Sequence, residues 1–108
     1  MSVRIKVKDQ FGSFLSNGEE GVRFRYNKIE PKIDQGKLVI LDFEGVENMT
    51  DSFANACFGS LFRRVNLKTE GKIKFVNCNP VVKSFLISAM SFAKRRVKAD
   101  QVVQTTTA

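Results

Sequence analysis

Val3, Ile5 and Val7 alternate with Arg4, Lys6 and Lys8. That period of two predicts a strand over 3–7 with one face in water. Phe11-Gly12-Ser13-Phe14-Leu15 reads as a short apolar connection. Ser16-Asn17-Gly18-Glu19 fits a capping box, with Ser16 as N-cap and Glu19 reaching back. Val22, Tyr26, Ile29 and Ile33 then recur at steps of four, three and four, one face of a helix. Val22, Phe24 and Tyr26 also fit a strand, but the four-position match and the cap favour the helix. Pro31 lies inside this pattern and predicts a kink or an end, and Gly36 stops the segment.

Residues 37–43, Lys-Leu-Val-Ile-Leu-Asp-Phe, form a nearly continuous apolar run. Such a run predicts a central strand buried on both faces. Residues 44–50 read as a loop. A helix over 52–66, opening at Asp51-Ser52, carries Phe53, Ala56, Cys57, Ser60, Leu61 and Arg64. Residues 68–71 turn the chain into a third strand over 73–76, with Asn77-Cys78-Asn79 as its polar exit. Asn79 suits an N-cap and Pro80 the first turn of a last helix. That helix carries a wide apolar face: Val81, Val82, Phe85, Leu86, Ala89, Met90, Phe92, Ala93 and Val97. Strand and helix alternate throughout, which predicts a single α/β domain with a mixed or mainly parallel sheet and right-handed crossovers. It spans 3–98, and a loose tail follows over 99–108.

The residue inventory narrows the chemistry. Among 108 residues there is no His, which removes Ser-His-Asp and Cys-His arrangements and His-containing zinc sites. Cys57 and Cys78 are too far apart for a CxxC redox pair and read as buried thiols. Neither GxxxxGK[ST] nor GxGxxG occurs. A non-enzymatic role without cofactor or metal is therefore expected. No apolar run approaches the ~20 residues of a membrane span. The first residues lack the apolar stretch of a secretory signal, so a cytoplasmic setting is expected.

Net charge is +7, unevenly placed. Residues 1–54 hold 8 Lys/Arg and 9 Asp/Glu, whereas residues 55–108 hold 10 and 2. The densest basic run is Lys94-Arg95-Arg96-Val97-Lys98. It closes a helix, where cations offset the negative end of the dipole. With Arg63 and Arg64 it also fits a nucleic-acid surface.

The segment 38–54, Leu-Val-Ile-Leu-Asp-Phe-Glu-Gly-Val-Glu-Asn-Met-Thr-Asp-Ser-Phe-Ala, resembles the core motif of STAS domains, the sulphate-transporter and anti-sigma-factor-antagonist domains. There an apolar strand ends in Asp or Asn plus a hydrophobe, and a short loop leads to a helix opening at an Asp-Ser-Ser-Gly-type sequence. Ser52-Phe53-Ala54, Phe58-Gly59 and the upstream Phe11–Ser16 segment are most similar to the small STAS-like family of unassigned function. The resemblance covers residues 3 to 95. It implies a bacterial-type regulatory domain that acts by binding another protein.

In anti-sigma-factor antagonists a serine at the start of this helix is phosphorylated by the partner kinase. The resemblance places Ser52 at that serine, with Thr50 and Asp51 at the preceding Asp-Ser pair. Phe53 replaces the small residue that normally follows, so a ring is expected to crowd the helix start. Phosphate on Ser52 would meet the open N–H groups of the helix. It would also add negative charge beside Asp42, Glu44, Glu47 and Asp51, read as a solvated acidic rim. Two roles for Ser52 follow: a phosphorylation switch, or a helix cap shared with Thr50. The expected partner surface is Glu44, Glu47, Asn48, Thr50, Asp51, Ser52 and Phe53. The partner is an anti-sigma or kinase-like regulator, or a toxin held by a stoichiometric inhibitor. The alternative is nucleic acid bound through Arg63, Arg64, Lys94, Arg95, Arg96 and Lys98.

Overall fold

A computed structural model describes residues 2–65 and 73–91, with only the backbone at 63–65. Three strands, β1 (Ser2–Lys6), β3 (Leu38–Asp42) and β5 (Ile73–Val76), form a parallel sheet in the order β1-β3-β5. The unbroken apolar run thus takes the centre. Its register lines up Val3, Val39 and Ile73 in one row and Ile5, Leu41 and Phe75 in the next. Val39 and Leu41 are fully buried in these rows, which form the sheet's side of the core.

The other face departs from expectation. Ile40 lies between Arg4 and Lys74 and is only half-buried, so β3 is not buried on both faces. The aliphatic stems of Arg and Lys can lie along apolar surface while their charged heads stay in water.

A second, two-stranded parallel sheet pairs β2 (Phe14–Leu15) with β4 (Asn48–Met49). Both segments were expected to be connections. They are too short to show alternation, and their ladder depends on a pairing between distant residues. A one-turn helix, α1 (Val7–Phe11), precedes β2, so β1 stops before Val7. Val7 is fully buried at the start of that turn.

Each short strand feeds a long helical segment. The first comprises α2 (Gly18–Phe24), a π-helical turn (Arg25–Ile29) and α3 (Glu30–Asp34). Its N-cap is Asn17 rather than Ser16: the Asn17 Oδ1 accepts from the backbone N–H of Glu19 at 2.9 Å and of Glu20 at 3.2 Å. The buried residues are Gly21, Phe24, Ile29 and Ile33, whereas Val22 and Tyr26 are exposed at 40% and 69%. The five-residue step from Phe24 to Ile29 is that of a π turn, and it rotates the apolar face away from the 3.6-residue pattern. Pro31 does not end the segment: it stands in the first turn of α3, immediately after the π turn. The segment stops at Gly36, whose φ of 77° suits glycine; its N–H donates to the Ile33 carbonyl and that of Lys37 to the Lys32 carbonyl.

The second segment comprises α4 (Asp51–Phe53), a π turn (Ala54–Gly59) and α5 (Ser60–Val65). The two segments pack closely where Gly21 meets Phe53 and Cys57. Arg25 joins the two π turns, pairing with Glu30 and donating through Nε to the Ala56 carbonyl at 3.3 Å. Last comes α6, described over 80–91, with Val82, Leu86 and Ala89 buried at helical spacing. Its apolar face is narrower than expected, because Val81 and Met90 are exposed. Asn79 caps it as predicted, Oδ1 accepting from the Val82 N–H at 2.7 Å. The turn over 68–71, Phe92, Ala93, Val97 and the tail 99–108 lie outside the described residues.

Candidate functional site

The carboxyl ends of β3, β2 and β4 open toward the segment 44–52, where ligands of open α/β sheets tend to bind. Its base is fixed from two sides. The N–H groups of Glu47 and Asn48 donate to the Ser13 carbonyl, and that of Thr50 to the Leu15 carbonyl. From the other side the Asn79 Nδ2 donates to the carbonyls of Val46 at 3.2 Å and Glu47 at 3.1 Å. Val46 and Met49 anchor the segment in the core. From this base Glu44, Glu47, Asn48, Asp51 and Ser52 project exposed.

Asp42 is not part of that rim. It is buried at the end of β3, where Oδ2 accepts from Arg4 Nε at 3.1 Å and from the Arg4 terminal nitrogen at 2.9 Å. Its Oδ1 accepts from Asn77 Nδ2 and from the Glu44 N–H, both at 2.9 Å. The Asn77 amide, the Glu44 N–H and the Arg4 guanidinium hold its carboxyl down to about 2 from an ordinary 3.8. Asn77 reaches it from a left-handed backbone conformation, φ 59°. Asp42 therefore ties together the ends of β1, β3 and β5.

Phe53 also lies elsewhere than expected. Its ring is fully buried, 5.2 Å from the Phe11 ring and 5.9 Å from that of Phe58. It therefore neither crowds the helix start nor offers a surface. Thr50 is the cap: its Oγ1 accepts from the Phe53 N–H at 3.2 Å and donates to the Ser16 carbonyl at 3.1 Å. Ser52 is exposed one position inside the helix, and among the described residues its hydroxyl has no hydrogen-bond partner. That hydroxyl lies against Gly18, where a Cβ would come within 2.6 Å. Glu19 pairs with Arg23 at 3.9 Å and Glu20 lines a separate hollow with Phe11, Arg23 and Asn27, whereas the starts of α2 and α4 are neighbours where Gly18 meets Ser52. No local sequence signal foretells this, because the juxtaposition comes from β2 pairing with β4.

The family of STAS-like domains of unknown function (DUF4325) matches residues 20–83. The chain belongs to that family. The match runs from the first turn of α2 into α6, so it takes in β3, segment 44–52 and the helix opening at Asp51. The α/β architecture and parallel strands of the STAS-like domain agree with it. The chain matches no curated protein and no solved structure.

Other readings find less on the STAS-like domain's described surface. Arg63 and Arg64 lie on the backbone of α5 with side chains outside the described residues, and Lys94, Arg95, Arg96 and Lys98 lie wholly outside them. Among the described residues, no three His, Cys, Asp or Glu side chains converge as metal ligands. No described helix is long and apolar enough to cross a membrane. Both cysteines are free thiols: Cys57 is buried and Cys78 half-buried, and burial pushes both upward.

Proposed function

We propose that this STAS-like domain is a stoichiometric, non-enzymatic regulator that binds another protein through the segment 44–52, and that phosphorylation of Ser52 releases that partner. The observation that carries the reading is Ser52, an exposed residue in the first helical turn whose hydroxyl lies against Gly18 and has no capping task, because Thr50 performs it. A side chain that only closed a helix would have been engaged there. On the same segment Glu44, Glu47 and Asp51 are also exposed. A phosphoserine carries about −1.5 to −2 charge and would turn a moderately acidic patch strongly negative. A partner fitted to the unmodified patch then loses complementarity.

The rigid base supports the reading as well. Hydrogen bonds from Asn79 and to the Ser13 and Leu15 carbonyls hold the segment in one shape, which lowers the ordering cost of association. The test starts with copurification from the native cell and identification of the bound chain. Titration calorimetry then compares wild type, Ser52→Ala and Ser52→Asp. The expected result is wild-type affinity for Ser52→Ala and at least tenfold weaker binding for Ser52→Asp, with all three equally stable. Equal affinity in all three removes the switch. A partner insensitive to Glu47→Lys and Asp51→Lys removes the surface itself.

A further inference from the structure

The outer edge of β1 has no neighbouring strand among the described residues, since the sheet runs β1-β3-β5. An edge of this kind offers unpaired backbone N–H and C=O groups. Beside it runs a groove of about 460 Å³, with Val3 and Ile5 along the strand and Lys28 and Lys32 on the helical segment opposite. Lys6 and Asp9 complete its charged lining, and no ion pair within the described residues takes up Lys6, Lys28 or Lys32. Arg4 also lines it but is already held by Asp42.

We propose that this groove takes an extended acidic segment of a partner protein as an additional strand on β1. Two independent features specify that occupant. The open edge asks for an extended backbone, as in other strand-addition complexes. The unpaired lysines ask for carboxylates. Their spacing fits as well: Lys28, in the π turn, and Lys32, in α3, stand about one helical turn apart, roughly 5–6 Å along the axis. Alternate residues of a strand are about 6.6 Å apart and point to one side. Carboxylates at every second position would therefore meet both lysines, while the backbone pairs with β1. With five residues, β1 accommodates a strand of about its own length, about 17 Å at 3.3 Å per residue. This surface is separate from segment 44–52 and does not depend on Ser52.

The test uses the whole chain and a fluorescein-labelled, acetylated six-residue peptide alternating glutamate with threonine, read by fluorescence polarisation. Binding is expected, and Lys28→Glu combined with Lys32→Glu should weaken it at least tenfold. The same charge change at Lys74→Glu and Lys83→Glu, both exposed and away from the groove, should weaken it less than threefold. Thermal melts check that each variant is folded. Two further peptides carry backbone N-methyl groups on alternate residues, one set on the odd and one on the even positions. Strand addition requires that one of them lose binding at least tenfold and the other keep it. No binding by the parent peptide at low salt overturns the proposal. So does equal binding by both methylated peptides, because charge alone would then explain the association. Displacement of the peptide by oligothymidine, with no dependence on methylation, would assign the groove to nucleic acid and overturn it too.

Discussion

Truncating Phe53 to Ala separates a core residue from a surface one. The ring is fully buried and meets Phe11 edge-on at 5.2 Å with an interplanar angle of 79°. On a second side it meets Phe58 at 5.9 Å. On a third side Gly21 makes room: a Cβ there would lie 3.3 Å from Cδ2 and 3.4 Å from Cε2 of the ring. Removing a buried Phe side chain costs about 3–5 kcal/mol, part of it from the cavity left behind. The cavity cannot close easily, because its walls belong to two helical segments tied together by Arg25. Against a total stability of about 5–15 kcal/mol, that is a large share.

For a domain of this size each kcal/mol moves Tm by about 4–8 °C, so Phe53→Ala should lower it by about 12 °C or more. Phe53→Leu, which keeps most of the volume, should lose less than half as much. Urea denaturation followed by circular dichroism gives the free energies, and differential scanning calorimetry the Tm. A Phe53→Ala protein within about 0.5 kcal/mol of wild type, the range of ordinary surface substitutions, would place the ring in solvent and refute the packing.

Three further outcomes follow from the same geometry. Thr50→Ala should cost about 1 kcal/mol of stability by removing the cap, whereas Ser52→Ala should stay within about 0.5 kcal/mol; the reverse order in urea titrations would make Ser52 the cap. Because Asp42 titrates at about 2 when folded and its ordinary value is 3.8, its ionic contribution is complete above that value and is lost as pH falls through 2; Asp42→Asn should flatten that part of the acid-unfolding curve, and an unchanged curve would contradict the Arg4–Asp42–Asn77 arrangement. In native protein a thiol reagent should modify Cys78 well before Cys57, since the first is half-buried and the second enclosed, and mass mapping of early product shows which reacted.

The main sheet was legible because its signals are local. Alternation marks β1, the apolar run marks β3 and its central place, and Asn79-Pro80 marks the start of α6. The helical faces were legible only until the period changed. Val22 and Tyr26 fit a helix of constant pitch, yet the π turn at 25–29 carries the core face from Phe24 to Ile29 in one five-residue step. A π turn inserts one extra residue without a compositional mark, so a constant pitch fitted through Ile29 and Ile33, which are buried, runs back through Val22 and Tyr26, which are exposed, and misses Phe24. Ser16 and Asn17 illustrate a second limit. Both are good caps, and the choice depends on where the backbone turns after Leu15, which β4 decides.

The same pairing explains why the site took shape only in three dimensions. Apolar strand, loop, Thr50-Asp51-Ser52 and helix could be read in order, but not what stands beside Ser52. Parallel pairing of Leu15 with Met49 starts two helical segments side by side, running the same way from one level. Their first turns must then be neighbours, and the residue there on α2 must be small: a Cβ at Gly18 would come within 2.6 Å of the Ser52 hydroxyl. Gly18, far from Ser52 in sequence, thereby becomes its neighbour. Phe53, its immediate neighbour in sequence, leaves for the core because adjacent residues on a helix point about 100° apart. The meeting of the two helix starts is thus set by a ladder of two residues on each strand, too short to leave a periodic trace in the sequence.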